Sequence, residues 1–147
     1  MLEVTGELWT YPADLRCITT NGMTNKWGDA VMGAGNALEA RQRYSQIDKH
    51  LGALLRLKGN HVHLLRHDLA SFPTKWHWKN PSDPLLIERS AWELMALVTH
   101  LGYQQVVLPR PGCGLGLLKW EQVRPILEPL FDNRFTIITH ALVSSAV

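Results

Sequence analysis

Short apolar runs that pass through glycine clusters into helical stripes constrain this chain more than any other feature. The clearest case is Val106-Val107-Leu108-Pro109 followed by RPGCGLGLLKW, Arg110 to Trp120, with glycines at 112, 114 and 116. Three glycines in five residues carry an entropic cost that packing alone rarely justifies. A second segment, GDAVMGAGNALEA (Gly28 to Ala40), also leads into a helix. At both places a strand end would meet a helix N-terminus, where unpaired N–H groups and the helix dipole favour anions, above all phosphate. Two such loops at one sheet edge suit a ligand that bridges them, such as a diphosphate. The competing reading is that the glycines serve turns and tight helix–sheet packing. Neither segment carries the Gly-Lys-Ser/Thr of a P-loop or an intact G-x-G-x-x-G, which argues against ATP hydrolysis and a dinucleotide Rossmann site.

The periodicity along the chain supports this layout. Leu2 to Trp9 reads as a strand, Tyr11 to Asp14 as a turn, and Leu15 to Thr20 as a strand ending at Asn21-Gly22. Asn36 to Leu57 reads as one helix stopped by Gly59-Asn60. His61 to Leu65 and Ala70 to Thr74 are short strand candidates. Ser82-Asp83-Pro84 starts a helix with a clear apolar stripe that Gly102 ends. Gln104 to Leu108 is a strand, Trp120 to Phe131 a helix, and Phe135 to Thr139 a last strand. Strands alternating with helices imply an α/β fold with helices on both faces of the sheet, and ligands there bind beyond the carboxyl ends of the strands. The 147 residues suit a single domain over 1–147.

Composition narrows the function classes. At 46% hydrophobic and 19% charged the chain is of ordinary globular type. No apolar run is long enough to span a bilayer, and MLEVTGELW has no signal-peptide core. The two cysteines, Cys17 and Cys113, do not make a disulfide framework, so a cytoplasmic location is expected. A net charge of +2 is too mild to argue nucleic-acid binding by itself.

Several side chains are candidates for chemistry. Asn21 offers donors and an acceptor suited to a ribose hydroxyl pair, or simply makes an Asn-Gly turn. Lys75 lies in SFPTKWHWK; a lysine amine is a nucleophile once deprotonated, which desolvation or nearby positive charge favours. It is otherwise a surface lysine. Trp76 and Trp78, alternating with Lys75, His77 and Lys79, would share one face of a strand. They either pack in the core, the favoured reading, or stack on single-stranded nucleic acid. His61 and His63 share a strand face, but zinc would need a third protein ligand and no metal site is expected. Cys113 is a packed small residue or a thiol activated beside a helix N-terminus.

Together VTGELWTYPADLRCITTNG, AVMGAGNALEA, SFPTKWHW and LPRPGCGLGLLKWEQVRPILEPLF resemble the macrodomain family of ADP-ribose-binding modules. The likeness is to the branch of terminal ADP-ribose protein glycohydrolase and the DNA ADP-ribosyl glycohydrolase antitoxins. It implies a three-layer α-β-α sandwich around a mixed, mainly parallel sheet. It further implies ADP-ribose or an ADP-ribosylated macromolecule as partner, with single-stranded DNA a possible substrate, and no cofactor or membrane. By resemblance Gly33, Ala34 and Gly35 form the first diphosphate loop, and Gly112, Cys113, Gly114, Leu115 and Gly116 the second. A side chain at Gly112 or Gly114 is expected to intrude on the ligand's space. Asn21 matches the asparagine at the distal ribose, Glu7 the acid that receives the adenine amino group, and Lys75 the catalytic lysine. In that branch such a lysine attacks the anomeric carbon of the distal ribose; no carboxylate fills the acid's expected position here, so His77 or a substrate hydroxyl is expected to protonate the leaving group instead. Ile18 stands for the first of the family's two asparagines, and Gly116 for the catalytic aspartate of the protein-directed enzyme. Leu117-Leu118-Lys119 replaces the Gly-Leu-Asp frequent in the DNA-directed enzymes. The implied activity is ADP-ribosyl glycohydrolysis; the alternatives are a non-catalytic reader and an ADP-ribose 1″-phosphate phosphatase.

Overall fold

The structure is a computed structural model that describes residues 1–140. Its strands are β1 (Leu2–Thr5), β2 (Leu15–Asn21), β3 (His63–Arg66), β4 (Leu69–Lys75), β5 (Val106–Pro109) and β6 (Phe135–Thr139). Its helices are α1 (Gly35–Arg43), α2 (Ile47–Lys58), α3 (Pro84–Leu101) and α4 (Trp120–Leu127). They build one six-stranded sheet in the order β1-β6-β5-β2-β4-β3. Every neighbouring pair is parallel except β3 with β4, so the sheet is mixed and mainly parallel.

Alternation along the strands produces the layers, because successive side chains point to opposite faces. Leu15 and Cys17 of β2 pack with Ile87, Ala91, Leu94 and Val98 of α3 and with Val123 and Leu127 of α4. Ile18 points the other way and packs with Ala37 and Ala40 of α1 and with Ile47, Leu51 and Leu55 of α2. The expected three-layer α-β-α sandwich is therefore present. Helix α3 begins where Ser82-Asp83-Pro84 placed it: the Asp83 carboxylate accepts the Leu85 N–H at 3.0 Å. It stops at Gly102, which takes the left-handed φ of 79°.

Three expected elements differ by more than two residues. The strand expected over Leu2 to Trp9 stops at Thr5, because Glu7 turns the chain, its carbonyl accepting the Thr10 and Tyr11 N–H groups. The single helix expected from Asn36 to Leu57 is broken after Arg43, where Gln46 takes a left-handed φ of 66°. The helix expected to reach Phe131 ends at Leu127.

Because β2, β4 and β5 run parallel, their carboxyl ends, Asn21, Lys75 and Pro109, lie at one edge of the sheet. Both glycine segments leave from that edge.

Candidate functional site

A cavity of about 590 Å3 opens at that edge, lined by Asn21, Gly33, Ala34, Gly35, Asn36, Lys75, Trp78, Ser82, Gly112, Cys113, Leu115 and Gly116 among others. Its volume is in the range of small-molecule sites. Of the expected ligand residues, only Glu7 and Gly114 lie outside this lining.

Each glycine loop is held by a different device. The first rests on α2 through Gly52, where a Cβ would stand 2.1 Å from the Gly28 carbonyl oxygen and 2.8 Å from the Ala30 nitrogen. The Ala30 N–H donates to the Asp48 carbonyl at 2.9 Å, closing that contact. Helix α1 then starts without a side-chain cap and without an acidic residue in its first turn, so its leading N–H groups remain for an anion at the cavity. A Cβ on Gly33 would meet nothing within 4 Å, consistent with a backbone that faces open space.

The second loop is a tight turn built on left-handed residues, Gly112, Gly114 and Leu117, with φ of 78°, 70° and 67°. The expected reason for Gly112 is corrected here. A Cβ there would stand 2.7 Å from Ile87 Cδ1 and 3.0 Å from Leu118 Cδ1, so it would crowd the α3 side of the protein. A Cβ on Gly114 would meet no protein atom within 4 Å, and the left-handed φ is what that position requires. The two loops approach each other: Leu115 Cδ1 reaches to 3.5 Å from where a Cβ on Gly35 would stand.

Asn21 and Lys75 are partners in the β2–β4 register, one step past a bulge that shifts the pairing after Thr20. The Asn21 amide donates to the Val31 carbonyl at 3.0 Å, and its oxygen accepts the Met23 N–H at 2.9 Å. It thus makes the expected turn and also ties the first loop to the end of β2. The Lys75 ammonium donates to the Trp78 carbonyl at 3.4 Å and to the Leu115 carbonyl at 3.3 Å, so it spans from its own strand end to the second loop. No carboxylate lines the cavity among the described residues.

Asn36 was not singled out by sequence reasoning. Its side-chain oxygen accepts the Thr19 N–H at 2.7 Å, and its amide donates to the Thr19 hydroxyl at 3.0 Å. It fastens α1 to β2 beside Ile18, which is fully buried. Ser82 was read only as part of a helix start, yet it lines the cavity. The helix-start signal gave no hint of this, since residue 82 meets the loop at 116 only through the tertiary fold.

Strand β4 ends at Lys75, so Trp76 and Trp78 do not alternate along a strand as expected. Nor are they core residues: they are 51% and 49% exposed. Arg89 stacks on Trp76 at 5.2 Å and the Lys79 amine lies 5.4 Å from the Trp78 ring. The His77 ring packs 5.8 Å from Trp78, and its Nδ1 accepts the Lys79 N–H. His77 is outside the cavity lining. Glu7 is exposed and pairs with His140 at 3.0 Å.

Strand β3 starts at His63, so His61 precedes it and the two do not share a strand face as expected; they have separate partners, the Glu93 carboxylate at 2.7 Å and the Gly59 carbonyl at 2.9 Å. Burial holds the His63 imidazole below the usual histidine range. Burial likewise pushes the Cys113 thiol up, which favours the packing reading over an activated thiol. Cys17, fully buried among core residues, is pushed up further.

No family model matches the chain. The Mycobacterium tuberculosis protein named DNA ADP-ribosyl glycohydrolase is 29% identical over 114 residues, 70% of this chain and 32% of that one. The chain thus spans about a third of that relative's length. The Bos taurus ADP-ribose glycohydrolase OARD1 is 30% identical over 117 residues, which cover 76% of each chain. The solved macrodomain of Mycobacterium tuberculosis DarG superposes with a TM-score of 0.77 at 25% identity, over 93% of this chain and 96% of that one. The chain belongs to the macrodomain family. In this macrodomain a side chain at position 116 has no room, because a Cβ on Gly116 would stand 2.3 Å from Ser82 Oγ. No helix of the described residues is long and apolar enough to cross a membrane.

Proposed function

We propose that this macrodomain binds ADP-ribose in the cavity and hydrolyses the bond between its distal ribose and an attached group. The observation that carries the reading is the Lys75 ammonium held between the strand end at Asn21 and the second glycine loop, inside a cavity floored by the uncapped start of α1. The relatives named DNA ADP-ribosyl glycohydrolase and ADP-ribose glycohydrolase support the same reaction. The diphosphate lies against the N–H groups of the two loops, with Gly33 to Gly35 on one side and Cys113 to Gly116 on the other. Glu7, beyond the cavity lining, serves the adenine.

Asn21 orients the distal ribose; the Lys75 ammonium passes a proton to water, and the amine so formed attacks the anomeric carbon. The bond to the attached group breaks with its electron pair, and the leaving group takes a proton from water or from a substrate hydroxyl. Water then releases ADP-ribose and frees the lysine. His77 is not used, because it stands outside the lining with Nδ1 engaged. Among attached groups we favour single-stranded DNA over protein, since Trp78 lines the cavity and Trp76 and Trp78 present half-exposed rings beside Lys79, His77 and Arg89. We place the protein in the cytoplasm, where its two free thiols suit a reducing environment.

Lys75→Ala is expected to bind ADP-ribose while losing at least about a hundredfold in release of ADP-ribose from a modified oligonucleotide. Unchanged turnover removes the lysine from the mechanism. Cleavage of the oligonucleotide substrate should weaken steeply with salt, and that of a modified peptide should not. The second reading, a reader that binds without turnover, is favoured by the absence of any carboxylate among the described lining residues. Binding with no product from either substrate would select it.

A further inference from the structure

Among the described residues that line the cavity, Ser82 alone carries a buried side-chain polar atom with no hydrogen-bond partner. The residue is only 5% exposed. Leaving a hydroxyl both dehydrated and unpaired is unfavourable, and alanine at this position would avoid the cost. Helix capping does not explain the serine, because Asp83 caps α3. Backbone geometry does not need the hydroxyl either: the Ser82 N–H donates to the Gly116 carbonyl at 2.9 Å.

The surroundings place this orphan hydroxyl at the reacting end of the site. The Asp83 N–H donates to the Thr74 carbonyl at 2.9 Å, fixing Ser82 beside the strand residue that precedes Lys75. On its other side Ser82 Oγ occupies the room that a side chain at 116 would need. The residue is thus clamped between the strand end that carries Lys75 and the turn of the second glycine loop. Ser82 lines the cavity, and its side chain turns about a single bond among three staggered positions.

We propose that Ser82 is a ligand-contacting residue whose hydroxyl donates to an oxygen of the bound nucleotide sugar, on the side of the β-phosphate and distal ribose. This rests on the reading of the cavity as an ADP-ribose site. The hydroxyl is the partner the ligand completes: unpaired in the free protein, it is satisfied on binding.

Calorimetric titration of wild type and Ser82→Ala with ADP-ribose and with AMP tests this, together with the melting temperature of each free protein. Ser82→Ala should melt at or above the wild-type temperature and bind ADP-ribose about five- to tenfold more weakly, with AMP affinity unchanged because AMP lacks that end of the ligand. ADP-ribose affinity within twofold of wild type overturns the assignment. Equal weakening for both ligands also overturns it, since that marks a structural role. Should wild type bind AMP but gain nothing from the distal ribose, the contact is excluded while a nucleotide site stands. Should it bind neither ligand, the ADP-ribose reading fails and the contact fails with it.

Discussion

Thr19 lies beyond the last β2–β5 partners, Arg16 and Val107, and its N–H is taken up by a side chain from α1. Asn36→Ala would leave that N–H without its acceptor and free the start of α1 from the sheet. The expected loss is about 1–3 kcal/mol in stability, read from denaturant midpoints, with a parallel fall in ADP-ribose affinity. At this scale the sequence was most informative where residue type alone dictates behaviour. Asn21-Gly22 made its turn, Lys75 and both loops came together, and Asp83-Pro84 opened its helix. Asn36 and Ser82 were illegible because their meaning lies in contacts with residues 17 and 34 positions away. The tryptophans at 76 and 78 misled for a related reason: large aromatic rings are usually buried, and only the end of β4 at Lys75 leaves them half exposed.

Helix α2 positions the first glycine loop through one residue. Alanine is the better helix former by about 1 kcal/mol, so propensity favours Gly52→Ala in isolation. Packing opposes it, since the new Cβ would meet the backbone of Gly28 and Ala30 at 2.1 and 2.8 Å. Backbone cannot swing aside as a side chain can, and overpacking of this kind costs about 1–3 kcal/mol. A net loss of stability is expected from thermal melts, along with weaker ADP-ribose binding as residues 28–30 are pushed outward. The break between α1 and α2 was missed because the pattern of apolar residues from Leu38 to Leu55 continues across it, and nothing in Tyr44-Ser45-Gln46 is a strong helix breaker. The long α3 stripe with its start and stop signals was fully legible. Turn chemistry at Glu7 was not, since LEVTGELW alternates well enough to suggest a longer strand.

For the molecule as a whole, acid should act in two stages. The His63 imidazole is held below its ordinary 6.5 by burial, so the unfolded chain binds the proton first. Its contribution to stability is complete above that value and is lost as pH falls through the lower folded one. Glu3, hydrogen-bonded by Arg124, and Asp132, hydrogen-bonded by Arg134, are held below their ordinary 4.5 and 3.8. They withdraw support only as pH falls further. Melting temperature should therefore decline in a first step that His63→Gln removes and a second that it leaves in place. The layer order was legible at this scale because strand and helix periods differ, whereas the antiparallel β3–β4 pair could not be told from a crossover by periodicity.

Leu115, 66% exposed, reaches across from the second loop toward Gly35 of the first. Under the proposed reading, a diphosphate held by both loops would pass this side chain on its way in and out. Its methyl groups would then bear on the rates of capture and release as well as on affinity.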